Sequence, residues 1–330
     1  MRSPIGIGIV GLGRIAGAHI LAARALQDEV EVVAVATRNP KKKEVDDLSS
    51  SVTVFEDVRD LVQDPRVDAV VVCTPNHAHA EAVEVAAAAG KHVLVEKPIA
   101  LTESEAFSMV TRCEQAGVTL MVAQSRRFSQ AIHRIRAMMH ELGTVYRADI
   151  DFLVRFPGPA TPWWTRSNEA GELILHLQGS HSLDTLAWLF DGLPGVLYCH
   201  GSTVNPAFGG LDEADILMQY PEGLLASVSL SLNSHPAKHD LNIYGENGTL
   251  TLTERMGSKP FSFEFEVRRD GIVVFEENGP SVYTNQLREF SSALRENQQP
   301  NASGREILKS ARLVDAAVAS YRQRGVVELK

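Results

Sequence analysis

The chain has 330 residues, 44% apolar and 22% charged, an ordinary globular composition that excludes wholesale disorder and fibrous repeats. At roughly 100–200 residues per domain, the length fits about two domains, each able to bury a core without staples. Lys and Arg number 32 against 41 Asp and Glu, a formal charge of -9. That balance argues against a nucleic-acid or acidic-membrane binder, but not against a small anion held by a few local groups. Three cysteines, Cys73, Cys113 and Cys199, lie far apart without a CxxC pair. They predict packed thiols in a reducing, cytoplasmic compartment. The apolar N-terminal run is rich in Gly and Ala and reads as a buried strand rather than a signal peptide. No stretch reaches the roughly 20 apolar residues of a membrane span.

In chain order, Ile5–Val10, Val30–Ala36, Ala69–Cys73, His92–Val95 and Thr119–Val122 read as short apolar strands. Helical stretches separate them at Arg14–Leu26, Asp57–Gln63, His79–Ala89 and Ser104–Ala116. Strands apolar on both faces and alternating with helices predict a doubly wound parallel sheet of Rossmann type over residues 1–122. The rhythm then changes. Ala131–Leu142 reads as a helix, Val145–Phe156 as a long strand, residues 157–172 as an irregular aromatic segment and Leu173–Phe190 as a helix. From Tyr198 to Phe275 the chain is strands and turns, with Asn247-Gly248 and Asp270-Gly271 marking hairpins. Asn285–Glu296 and Arg305–Arg322 close it as helices. Residues 123–330 are thus expected to form an α+β domain on a large, mainly antiparallel open sheet, for substrate binding and oligomerisation.

Gly11-Leu12-Gly13-Arg14-Ile15-Ala16 has the GxGxxG/A form, directly after a strand and opening a helix. Gly11 permits the tight turn and Gly13 lets a pyrophosphate approach the backbone. Ala16 allows close packing, and N–H groups around Arg14 and Ile15 at the helix start face the phosphates. The second strand ends at Thr37-Arg38, without the Asp or Glu that grips an NAD ribose. Arg38 suits a 2′-phosphate, so NADP is favoured over NAD. Lys41, Lys42 and Lys43 add local positive potential. The third strand runs into Thr74-Pro75-Asn76, at the sheet edge where ligands sit in such folds. These residues, with His79, are candidates for cofactor contact.

The fourth strand ends at Glu96-Lys97-Pro98. A lysine there can polarise a substrate oxygen and stabilise developing alkoxide. His181, in the predicted helix, suits reversible proton transfer because histidine titrates near neutral pH. These features together resemble the Gfo/Idh/MocA family of NAD(P)-dependent oxidoreductases, over nearly the whole chain. GLGRIAGAHI, CTPNHAH, KHVLVEKPIALT, RRFS, GELILHLQGSHSLDTLAWLF and LNIYGENGTLTL carry the resemblance. It implies that Glu96 and Lys97 adjoin the cofactor and that Lys97, His181 and Asp184 act on substrate. Its members usually carry Asp four residues before the histidine, where this chain has Leu177. Leu177, His181 and Asp184 would share one helix face by spacing, and a shifted helix start would bring His176 in.

Arg126 and Arg127 open the linking helix, with Arg127 a substrate candidate. Trp164 offers an aromatic face to a sugar ring, and His235 and His239 are candidates for a far pocket wall. No CxxC or HExxH pattern predicts a metal. The expected activity is hydride transfer between a nicotinamide and a hydroxyl or carbonyl of a sugar, inositol or related polyol. A homodimer or homotetramer through the C-terminal sheet is expected. The competing reading, motivated by Leu177, is a catalytically silent dinucleotide-binding sensor or structural protein.

Overall fold

A computed structural model describes residues 3–39, 48–277 and 281–329. Packing groups the chain into two compact units. The first is Met1–Ser125 with Pro280–Leu308, and the second is Arg126–Gly279 with Lys309–Lys330. A single cut after residue 122 does not describe this grouping, because residues 280–308 return to the first unit.

The first unit is built on a six-stranded, wholly parallel sheet. Its strands are β1 (Ile5–Val10), β2 (Val30–Ala36), β3 (Thr53–Phe55), β4 (Ala69–Val72), β5 (His92–Val95) and β6 (Leu120–Val122). Their order is β3-β2-β1-β4-β5-β6, the doubly wound arrangement with its reversal between β1 and β4. β4 is buried at all four positions, as a strand covered on both faces must be. Helices α1 (Ala16–Ala25), α2 (Val58–Leu61), α3 (His79–Ala88) and α4 (Glu103–Gln115) connect the strands. Thr102 caps α4 by accepting the Glu105 N–H.

The second unit holds a nine-stranded sheet. It comprises β7 (Val145–Arg155), β8 (Val196–Ser202), β9 (Glu213–Gln219), β10 (Leu225–Ser231) and β11 (Asn233–Gly245). Next come β12 (Gly248–Met256), β13 (Phe263–Arg269), β14 (Ile272–Glu277) and β15 (Val327–Glu328). The order is β14-β13-β12-β11-β7-β10-β9-β8-β15, antiparallel except for β7 beside β10. Along β9, Ala214, Ile216 and Met218 are buried while Asp215, Leu217 and Gln219 are exposed. One face is therefore core and the other open.

Helix α5 (Gln130–Met138) packs on β12–β14, and α6 (Ser167–Ala170) follows β7. The predicted helix Leu173–Phe190 is interrupted. Residues Leu175–Gly179 form a π-helical turn packed on β10, and α7 (Ser180–Leu189) follows. Helix α8 (Val282–Glu296) lies in the first unit, where it packs on α1 with Leu287 and Phe290 buried. Just beyond it, Val122 N–H donates to Ala302 O at 2.9 Å and covers the β6 edge. Helix α9 (Gly304–Gln323) ends the helical part of the chain. No helix among the described residues is long and apolar enough to cross a membrane.

Candidate active site

In the first unit the candidate residues gather at the carboxyl ends of β1, β2, β4 and β5. Gly11 holds φ +91°, and a Cβ there would lie 2.9 Å from Cys73 O, so glycine is required on both counts. At Gly13 the nearest atom to a Cβ is Cys73 O at 4.0 Å, leaving room for a ligand to approach the backbone. Helix α1 starts at Ala16 without a side-chain cap; the Ala16 N–H turns back to Gly13 O at 3.2 Å and the Ala18 N–H to Ile15 O at 3.0 Å, and the positive end of the helix dipole suits an anion. This cradle fits a pyrophosphate, with Arg14 exposed and Ile15 half-buried beside it. Thr37 is buried and accepts the Asn39 N–H at 3.3 Å, while Arg38 is exposed. Lys41, Lys42 and Lys43 lie outside the described residues.

The β4 edge presents Thr74 and Pro75, half-buried, and buried Asn76. The Thr74 hydroxyl oxygen is buried without a hydrogen-bond partner, a polar atom that a ligand or water would satisfy. His79, expected at the cofactor, has another task. It is 1% exposed, with Nε2 at 3.0 Å from Thr74 O and Nδ1 at 2.9 Å from Pro98 O. Burial pushes its pKa down, against the pull of those carbonyls and of Glu96. His79 thus ties the Thr74 loop to the Pro98 loop. Glu96 is likewise buried and turned inward: Oε1 lies 2.8 Å from His19 Nε2, and Oε2 accepts the Lys97 N–H at 3.1 Å. Lys97 itself is half-buried at the end of β5.

In the second unit His181 sits in the first turn of α7, 9% exposed, with its ring 6.3 Å from that of Phe152 on β7. Leu177, in the π-helical turn, is half-buried. The wider i→i+5 turn changes the angular step between residues 177 and 181 from that of one regular α-helix. His176 is buried against Gly171, where a Cβ would lie 2.6 Å from its ring, and its Nδ1 is 3.0 Å from Glu172 O. Asp184 is not an accessible acid. It accepts two hydrogen bonds from Arg127, at 2.8 Å and 2.7 Å, and both side chains are 3% exposed. Arg127, expected at the substrate, is thus committed to α7 by a buried ion pair. Trp164, expected to face a sugar ring, is also buried, packed edge-on against Phe156 and Trp163.

Sequence reasoning missed a second ionic cluster in this unit. Arg126 donates to both oxygens of Glu254 at 2.8 Å and 2.7 Å, and His239 Nδ1 lies 3.1 Å from the same carboxylate. Burial alone would raise the Glu254 pKa, but the charges and hydrogen bonds of Arg126 and His239 outweigh it and hold the carboxyl at about 2. His239 stacks on Phe152 with centroids 3.9 Å apart, and the Arg126 guanidinium lies 4.8 Å from the Phe152 ring centre. A small cavity opens here, lined by Arg126, Ser129, Ser182, Thr185, His239 and Glu254 among others. The sequence pointed to Arg126 and His239 separately, but not to Glu254, which the sheet register sets on the same face as His239 and Phe152.

Residues 5–124 match the oxidoreductase family with an NAD-binding Rossmann fold, and residues 132–251 match the GFO/IDH/MocA C-terminal domain. A D-apiose dehydrogenase of Paraburkholderia graminis is 29% identical over 345 residues, covering 98% of this chain and 89% of its own length. A myo-inositol 2-dehydrogenase of Thermotoga maritima is 25% identical over 342 residues, covering 98% of both chains. The solved structure of an aldose-aldose oxidoreductase of Caulobacter crescentus, complexed with glycerol, superimposes with TM-score 0.84 and 25% identity. The match covers 99% of this chain and 100% of that one. With both halves matched and the doubly wound and open sheets in place, the chain belongs to the Gfo/Idh/MocA family of NAD-binding oxidoreductases.

Proposed function

We propose that the protein oxidises or reduces a sugar, inositol or related polyol, with His181 as the acid/base and Lys97 polarising the reacting oxygen. The observation that carries this reading is the place of Lys97. It is half-buried at the carboxyl end of β5, on the same sheet edge as the Gly11-x-Gly13 cradle, with Glu96 and His79 bonded inward beside it. The nicotinamide, when bound, supplies the hydride chemistry. Gly11, Gly13, Arg14 and Ile15 hold its pyrophosphate, and Thr74, Pro75 and Asn76 the adjoining ribose. Arg38, exposed beside a Thr37 that has no carboxylate, pairs with a 2′-phosphate and makes NADP the preferred coenzyme. The Lys97 ammonium stabilises charge on the substrate oxygen, and His181 takes the hydroxyl proton in oxidation and returns it in reduction.

The open face of the nine-stranded sheet is the proposed contact of a homodimer or homotetramer, and its exposed Leu217 and Tyr198 support that role. Three buried, unpaired cysteines support a reducing, cytoplasmic setting. The test is a panel of myo-inositol, D-xylose, D-glucose and their phosphates with NADP and NAD, read by nicotinamide absorbance. Turnover with a neutral polyol supports the reading. Tight coenzyme binding with no turnover across the panel favours the second reading, a silent sensor. The apolar Leu177, near His181 where the family commonly carries an acid, favours that alternative.

A further inference from the structure

We infer that His19 is a positioning residue for Lys97, acting through the buried carboxylate of Glu96. This rests on the proposed role of Lys97. His19 lies on α1, one turn inside the phosphate-binding loop, and Glu96 ends β5, 77 residues later. Their side chains are 1% and 7% exposed and meet at 2.8 Å between Nε2 and Oε1. A buried carboxylate needs a donor on each oxygen, since an unmet one costs free energy. Oε1 has the His19 ring and Oε2 has the N–H of Lys97 at 3.1 Å.

The ring nitrogen facing a carboxylate carries the proton, so His19 is the Nε2–H tautomer. Its Nδ1 is buried with no partner among the described residues, as fits a lone pair rather than a second N–H. The Tyr283 ring packs edge-on, with centroids 6.1 Å apart, and fixes the imidazole. The His19 proton therefore sets the carboxylate, the carboxylate sets the peptide of Lys97, and the lysine leaves β5 in one direction. No element of this chain of contacts touches a reacting atom before Lys97 does. It also joins the helix that receives the pyrophosphate to the residue that handles the substrate oxygen.

Two polar substitutions separate this from general packing. Gln extends its amide nitrogen about as far as His Nε2, whereas Asn reaches only the Nδ1 position. The experiment measures amide exchange at Lys97 and kcat on the polyol turned over best, for wild type, His19→Gln and His19→Asn. Coenzyme affinity serves as the check on folding. His19→Gln is expected to keep slow exchange and kcat within about threefold. His19→Asn is expected to speed Lys97 exchange at least tenfold and to lower kcat ~10- to 100-fold, the scale of a misplaced catalytic group. KM for coenzyme stays unchanged in both. Equal behaviour of the two variants, or wild-type exchange and kcat in His19→Asn, overturns the inference. Imidazole nitrogen spectra of the wild-type protein provide a reading that needs no variant, and an Nδ1–H tautomer at His19 also overturns it. Lys97→Met tells the two claims apart. If it retains turnover, the role of Lys97 fails while the exchange result still judges the His19 contact.

Discussion

Lys97 in the first unit and His181 in the second both rest on buried polar side chains, but the two supports differ in kind. Beneath Lys97 the bonds run to backbone groups and through a single shared proton: His79 to Thr74 and Pro98, His19 to Glu96, Glu96 to the Lys97 N–H. Beside His181 they are full ion pairs, Arg127 with Asp184 and Arg126 with Glu254. A hydrogen-bonded support sets direction at modest net energy. An ion-paired one places charges in a low-dielectric interior, where losing one partner strands the other. The first unit should thus report damage mainly as lost rate, and the second as lost stability.

The sharpest break is at the proposed acid/base itself. His181→Ala should lower kcat ~10²- to 10⁴-fold with coenzyme affinity unchanged, checked by steady-state kinetics and coenzyme titration. Next comes the anchor of α7. Arg127→Ala, leaving Asp184 buried and unpaired, should cost about 3–5 kcal/mol in denaturant unfolding. Replacing the pair together, Arg127→Met with Asp184→Leu, should recover most of that loss, because no charge is then stranded.

A smaller effect is pH-dependent. The folded-state pKa of Glu254 is lowered from the ordinary 4.5 to about 2 by Arg126 and His239 against the cost of burial. Its stabilising contribution is therefore complete above the ordinary value and is lost as pH falls toward the folded value. Unfolding midpoints of wild type should drop across that acid window, and Glu254→Gln should be flatter there while less stable at neutral pH. The smallest expected change is at Arg38. Arg38→Ala should reduce the preference for NADP over NAD by ~10- to 100-fold, the loss of a charge-assisted hydrogen bond, read from the two dissociation constants. An unchanged ratio would remove Arg38 from the coenzyme assignment.

What was legible in the sequence was local. The strand, Gly11-x-Gly13 turn and α1 stand next to one another in the chain, and their periodicities and glycines declare them. The EKP strand end and the long strand Val145–Arg155 were equally plain, because each is set by alternation and its flanking turn. Contacts that span the chain were not legible. His19 meets Glu96 across 77 residues, and Arg126 meets Glu254 across 128. No spacing rule links such positions. Asp184, Arg127 and Trp164 were placed near substrate by motif, but motif position says nothing of whether a side chain is already spent inward. The π-helical turn at Leu175–Gly179 was hidden because its residues keep an apolar helical pattern while one turn widens. The helix α8 was read as part of the closing domain because sequence order does not reveal that the chain returns to pack on α1.

The central claim is that carbon-bound hydrogen passes between a polyol and the nicotinamide, and isotope transfer tests it most directly. Wild-type protein would be mixed with NADP or NAD and with carbon-deuterated myo-inositol, D-xylose and D-glucose, and the recovered coenzyme analysed by mass and NMR. Deuterium at C4 of the reduced nicotinamide, abolished in Lys97→Met and His181→Ala, is the predicted result. Coenzyme that binds tightly but returns unlabelled from every polyol would contradict it.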